Sequence, residues 1–230
     1  MLNYGVSAVG RPSHMSDFDK IHGGLEVRWG APGGQLKLLN GNTVTVDEQV
    51  GVIADDLQVE SLAGIMGGDA TAVSDETRNV YVEAAFWWPQ AIQGRSRRYS
   101  FATDAGHRFE RGVDPSLTVE HIEHITRLIQ QICGGDAGPM DDQVLKLPRR
   151  HPVALRVARA AKVIGMPLTA HDCKLALVRL GLVVEPGDGT LTVKPPPHRL
   201  PIAINEDLLD EVVRILGYIR LPTTPPQAPT

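Results

Sequence analysis

Short apolar runs separated by glycine and polar turns fill the first half of the chain, and longer stretches of three- and four-residue apolar spacing follow them. Leu25 to Trp29 and Leu36 to Leu39 read as short strands, and Asn40-Gly41-Asn42 as a turn into Val44-Thr45-Val46. Runs rich in β-branched residues and bounded by turn residues suit the pleated strand. Val50 to Ala54, Ser61 to Met66 and Val80 to Ala84 extend the pattern, the last two bracketing a glycine-rich polar connection. Pro115-Ser116 then opens a helix in which Val119, Ile122, Ile125, Ile129 and Ile132 share one face, ending at Gly134-Gly135. That helix closes a first, β-rich domain.

After Pro148 the pattern changes to short helices. Leu155 to Ile164 is the first, and Thr169 caps a second from Asp172 to Leu180 that stops at Gly181. Leu182-Val183-Val184, a Gly187-Asp188-Gly189 turn and Leu191-Thr192-Val193 make a hairpin, so the order is that of a winged helix-turn-helix. A last helix runs from about Glu206 to Leu216, with Asn205 as its cap, before Pro222, Pro225 and Pro226. The expected fold class is α+β. A mixed β-rich domain with packed helices occupies residues 1–148, a small winged-helix-like domain 149–222, and a proline-rich linker 223–230.

Composition narrows the setting. With 42% hydrophobic residues and a net charge of −4 the chain is too apolar for a disordered segment. No run approaches the ~20 apolar residues that span a bilayer, and the N-terminus lacks a signal-peptide pattern, so a cytoplasmic protein without membrane association is expected. Cys133 and Cys173 sit alone in apolar helical contexts, where buried free thiols are expected rather than a disulfide or zinc site. Charge divides unevenly, with 12 Lys+Arg against 20 Asp+Glu in residues 1–148 and 11 against 7 in residues 149–230. The basic side chains Arg149, Arg150, Arg156, Arg159 and Lys162 suit either phosphate contacts or a solvated helix face.

Three motifs carry a family resemblance. Gly10-Arg11-Pro12-Ser13-His14-Met15-Ser16-Asp17-Phe18-Asp19-Lys20-Ile21 is similar to a "G-Q-P-x-H-A-F-D-x-D-K-I" pattern, with Met15-Ser16 in place of Ala-Phe. Leu62-Ala63-Gly64-Ile65-Met66-Gly67-Gly68 and Val82-Glu83-Ala84-Ala85-Phe86 follow as a strand pair. Thr103 to Pro115 resembles "T-D-A-S-H-R-F-E-R-G-V-D-P", with Gly106 in place of Ser. In order and spacing these resemble the bacterial phenylalanyl-tRNA synthetase beta subunits, and Glu206 to Tyr218 resembles the end of that family's small domain. The resemblance implies an internal piece of a longer subunit, with an editing domain of B3/B4 type at 1–148 and a B5-type domain at 149–222. It also implies assembly with an alpha subunit into a heterotetramer of two alpha and two beta chains, and contact with tRNA(Phe).

The activity so implied is hydrolysis of tyrosine wrongly esterified to tRNA(Phe). By resemblance, Glu83 recognises the tyrosine hydroxyl, His14 is the pocket histidine, Gly67 lies close to the amino acid, and Thr103 and Ala105 shape the opposite wall. Taken alone, a Glu at a strand end is a solvated carboxylate and a lone His a structural residue; the motif context turns both toward a site. There is no Gly-x-Ser-x-Gly elbow and no Cys/His pair, so the water is expected to be positioned by backbone groups and the substrate's ribose hydroxyl. His107, Arg108, Glu110 and Arg111 are expected to form an ion-paired structural network, and Gly30 to Gly34 a turn. ATP is expected only in the assembled synthetase.

Asp207, Asp210 and Glu211 match family positions associated with Mg²⁺, with Pro201 standing where the fourth acidic ligand belongs, which weakens a site for a cation that prefers near-octahedral oxygen ligands. Read without the family, the same three residues complement the helix dipole. A non-catalytic scaffold that binds tRNA or the catalytic alpha subunit is the alternative to a hydrolase.

Overall fold

Two compact units, residues 1–145 and 146–230, make up the chain in a computed structural model that describes residues 2–199 and 202–223. The first contains α1 (Leu2–Val9), β1 (Ser13–Asp17), β2 (Glu26–Trp29), β3 (Gly34–Lys37), β4 (Thr43–Val46), β5 (Gly51–Ala54), β6 (Val59–Leu62), β7 (Met66–Gly67) and β8 (Val80–Ala84). Helices α2 (Pro89–Ile92), α3 (Arg95–Arg98), α4 (Asp104–Arg111) and α5 (Thr118–Cys133) follow. β2-β5-β6-β7 form one antiparallel sheet, β3-β4 a hairpin, and β1-β8 a separate pair.

The hydrophobic pattern decides which face is covered. In β4, Val44 and Val46 are buried while Thr43 and Thr45 are exposed, as the two-residue period requires. Three consecutive residues of β5, Val52, Ile53 and Ala54, are all buried, which fits a central strand covered on both faces. Val44, Val46 and Val52 join Leu36, Leu38, Leu62, Ile65, Ile92 and Phe109 in one core. Asp55 shapes the β5–β6 turn by accepting the amides of Leu57 and Gln58, both at 2.8 Å, and of His22 at 2.9 Å. These bonds overcome the penalty of its burial and hold its carboxyl down at about 2.

One buried cation braces the motif segments. Arg11 is fully buried, donating to Nδ1 of His121 at 3.0 Å, to the carbonyl of Ala85 at 2.6 Å and to that of Asp114. The guanidinium therefore ties the start of β1 to the end of β8 and to the segment entering α5.

The second unit contains β9 (Val153–Arg156), α6 (Val157–Ile164), α7 (Ala170–Arg179), β10 (Val183–Pro186), β11 (Thr190–Lys194) and α8 (Asn205–Leu216), with its sheet in the order β10-β11-β9. Leu155, Ala160, Cys173, Leu177, Leu191, Val193, Leu208 and Val212 form its core. Thr169 caps α7 in a reciprocal box, its hydroxyl accepting from the Asp172 amide at 3.1 Å while Asp172 accepts from the Thr169 amide at 2.9 Å.

Several expectations are corrected. Leu155 and Arg156 belong to β9 rather than to a helix, because pairing with β11 buries Leu155. Ser61 to Met66 is not one strand: residues 63–65 form a turn with Gly64 at φ +67°, and a Cβ there would press on Trp87 and Ile92. Cys133, at the end of α5, is exposed, while Cys173 is buried. Asn205 is the first residue of α8, not its cap; Asp207 accepts the amides of Ala203 and Ile204 at 2.8 and 2.9 Å instead. The linker prolines Pro225 and Pro226 lie outside the described residues. Among the described residues no helix is long and apolar enough to cross a membrane.

Leu177→Ala is expected to destabilise the second unit by about 2–5 kcal/mol, since Leu177 is fully buried in its core. Urea denaturation followed by circular dichroism measures it; a loss under 1 kcal/mol would contradict this packing.

Candidate functional site

The β1–β8 pair is antiparallel, with His14 opposite Glu83 and Ser16 opposite Tyr81. Opposed residues two apart along each strand share one face, so these four side chains are presented together. Ile53 of β5, Glu60 and Ser61 of β6, Thr71, Ile21 and Leu25 complete the lining of a small pocket. The pair is pinned where it meets the neighbouring sheet: the Asp17 amide donates to the Thr71 carbonyl at 2.8 Å, and Thr77 Oγ1 donates to the Asp17 carboxylate at 2.7 Å.

Burial sets the electrostatics. Glu83 keeps some access to solvent through the pocket mouth, yet enclosure by protein raises its carboxyl from the usual 4.5 to about 7, with no charged neighbour contributing. No hydrogen-bond donor among the described residues meets it. Burial also lowers the pKa of His14, favouring the neutral imidazole. A Cβ on Gly67 would overlap the His14 ring; the side left open by that glycine is filled by the imidazole.

Glu60 is a pocket residue that the sequence reading missed. It is buried on β6, its Oε2 accepting from Thr71 Oγ1 at 2.9 Å while Oε1 has no hydrogen-bond partner. Burial raises its pKa, opposed by the Thr71 hydrogen bond. The available signal was a lone charge inside the run Val59-Glu60-Ser61-Leu62, which resembles an ordinary outward-facing strand position.

Thr103 and Ala105 are not on the lining of this pocket. Thr103 is the N-cap of α4, its hydroxyl accepting from the Gly106 amide at 3.0 Å and donating to the Ile65 carbonyl at 2.9 Å. It is thereby anchored two residues before Gly67. Ala105 packs against the first unit's core. Arg111 contacts Glu110 at 2.6 Å and His107 at 2.9 Å on the surface, while the buried Nε of Arg108 has no hydrogen-bond partner.

In the second unit the three carboxylates of the family's Mg²⁺ pattern are each engaged separately. Asp207 caps α8, Asp210 accepts from the Tyr218 hydroxyl at 3.2 Å, and Glu211 pairs with both Arg199 and Arg214. Two guanidiniums on one carboxylate compete with a cation. Among the described residues no group of three or more His, Cys, Asp or Glu is placed to hold a metal, so the arrangement does not fit Mg²⁺; Pro201 lies outside the described residues. Of the basic side chains, Arg150 donates to the carbonyls of Pro197 and Arg199, and Arg159 pairs with Glu206 at 3.0 Å.

The family model described as B3/4 domain matches residues 1–134, and that described as tRNA synthetase B5 domain matches residues 153–218. Over 226 residues the chain is 61% identical to the phenylalanine–tRNA ligase beta subunit of Ralstonia nicotianae and 54% identical to that of Bordetella pertussis. Each match covers 98% of this chain and 28% of the relative, so the chain spans little more than a quarter of their length. An N-terminal fragment of the phenylalanyl-tRNA synthetase beta-subunit from Pyrococcus horikoshii aligns at 17% identity with a TM-score of 0.43, covering 94% of this chain and 64% of that one.

Two outcomes follow from the pocket's burial. A carboxyl whose folded pKa exceeds its unfolded value contributes stability that is present below pH 4.5 and lost as pH rises through about 7. Some 2.5 pH units at about 1.4 kcal/mol each set the ceiling at about 3.5 kcal/mol. Glu83→Gln should therefore flatten the fall in stability between pH 5 and 8, seen by urea titration at several pH values; an identical fall in both proteins would show Glu83 to be freely solvated. Gly67→Ala should push the imidazole aside and raise the His14 pKa toward 6.5, read by histidine NMR titration, and an unmoved pKa would contradict the close packing.

Proposed function

The chain belongs to the B3/4 domain family and carries a B5 domain after it, and from this we propose that it is the editing segment of a phenylalanine–tRNA ligase beta subunit. Its reaction is hydrolysis of the ester between tyrosine and tRNA(Phe). The observation that carries the reading is the enclosed, ion-unpaired carboxyl of Glu83 facing a pocket opposite His14.

Tyrosine differs from phenylalanine by one hydroxyl, and a pocket that admits the ring cannot separate the two by size. A carboxyl waiting in a low-dielectric pocket can, because the phenol O–H donates to it. Phenylalanine would leave it unpaired, at a cost of about 1–3 kcal/mol or more. A site built to hydrogen-bond a substrate hydroxyl can reject the analogue lacking it by ~10⁴. His14, kept neutral by burial and braced against Gly67, offers one ring nitrogen as an acceptor and the other as a donor. Its role is to orient water or the ester in a site whose rate comes from positioning.

The whole subunit's setting belongs to the same proposal: a heterotetramer with the alpha subunit, cytoplasmic, with ATP used only by the assembled synthetase. tRNA(Phe) is bound with the basic second unit offering phosphate contacts.

In the assembled heterotetramer, Glu83→Ala should slow deacylation of tyrosyl-tRNA(Phe) by about 100-fold while phenylalanine charging continues. Release of radiolabelled tyrosine measures it, and wild-type rates in the variant would remove Glu83 from the site.

A further inference from the structure

The pocket is lined by a second carboxyl that the proposed reaction does not use. Glu60 is 4% exposed, and the hydroxyl of Thr71 donates to its Oε2 at 2.9 Å, leaving Oε1 buried without a partner. Thr71 is itself fixed, since its carbonyl accepts the Asp17 amide at 2.8 Å. The orientation of the bare oxygen is thus set by the framework that also pins β1. Around Glu60, Gln58 favours the ionised form and Asp55 opposes it.

No Lys or Arg lines the pocket, and His14 is held toward its neutral form. Two carboxyls therefore face a cavity that supplies no fixed cation, and the compensating charge has to arrive with the ligand. A tyrosyl ester of tRNA carries three kinds of donor: the phenol at its far end, and the ribose hydroxyl and the α-ammonium beside the reacting carbonyl. The phenol is taken by Glu83 in the reading above, and the ribose hydroxyl is neutral. Only the ammonium offsets a buried carboxylate, and charge-assisted hydrogen bonds are roughly twice as strong as neutral ones.

We propose that Glu60 receives the α-ammonium of the aminoacyl ester whose side chain reaches Glu83, so that the two carboxyls read opposite ends of the same amino acid. The inference rests on the editing reading. As the ammonium seats, a protonated Glu60 releases its proton to water; apart from that O–H, no covalent bond changes at this step. Thr71 acts as a positioning residue.

The test compares tyrosyl-tRNA(Phe) with N-acetyl-tyrosyl-tRNA(Phe), which keeps the ester and the phenol but carries no ammonium. Wild-type heterotetramer should hydrolyse the free-amine substrate with a kcat/KM about tenfold above the acetylated one. Glu60→Gln should abolish that preference, mainly through KM, whereas Glu83→Gln should slow both substrates and keep it. Thr71→Val retains the carboxyl but frees its orientation, and should reduce the preference even if Glu60→Gln fails to fold. A preference unchanged in Glu60→Gln, or in Thr71→Val where Glu60→Gln does not fold, overturns the Glu60 assignment while leaving the editing reading intact. Absence of tyrosyl-tRNA hydrolysis by the wild-type enzyme overturns both.

Discussion

The antiparallel register of β1 with β8 is the constraint on which the pocket depends. A slip of one residue would turn His14 and Glu83 to opposite faces, because side chains alternate along a strand. The register is held from three sides: by Arg11 at one end, by the Asp17 amide on the Thr71 carbonyl, and by the Thr77 hydroxyl on the Asp17 carboxylate at the other. Of the residues involved, Thr71 also lines the pocket, while Arg11, Asp17 and Thr77 do not. The recognition geometry is therefore set largely by hydrogen bonds from outside the lining.

Glu83, held in that register, and Glu60 on β6 both work against stability. Each is a carboxyl kept from water without a cation, and in each the pKa rises for that reason. Asp55 shows the contrasting solution a few residues away, where four hydrogen bonds from backbone and imidazole hold a buried carboxylate ionised. The difference lies in donors. Where the fold only needs a turn, the donors are built in; where a ligand is expected, they are withheld.

Most of the secondary structure was legible because it obeys local rules. Val80 to Ala84 is a strand as its β-branched pattern suggested, and Thr169 caps its helix by accepting the backbone amide three residues on. The departures arise where tertiary pairing overrides local preference: Leu155 has a helix-compatible sequence but is drawn into a sheet by β11, and Ser13 to Asp17 forms β1 through a partner far along the chain. His14 and Glu83, drawn from two separate motifs, stand opposite each other in the β1–β8 register. Glu60 was invisible because nothing local distinguishes an inward from an outward glutamate. By resemblance Thr103 shapes the pocket wall; in the structure its hydroxyl caps α4 and donates to the Ile65 carbonyl.

The separation of β1 from β8 also orders events during synthesis. His14 and Glu83 are 69 positions apart (83 minus 14), whereas the β3–β4 hairpin closes over a handful of residues. Closing the larger loop costs roughly 2–3 kcal/mol more in chain entropy, and β8 must leave the ribosome before closure can begin. The central sheet can assemble from contiguous chain while β1 waits unpaired. Until its partner emerges, β1 carries open backbone donors and acceptors on both sides, and the nascent chain spends that interval with an adhesive edge exposed.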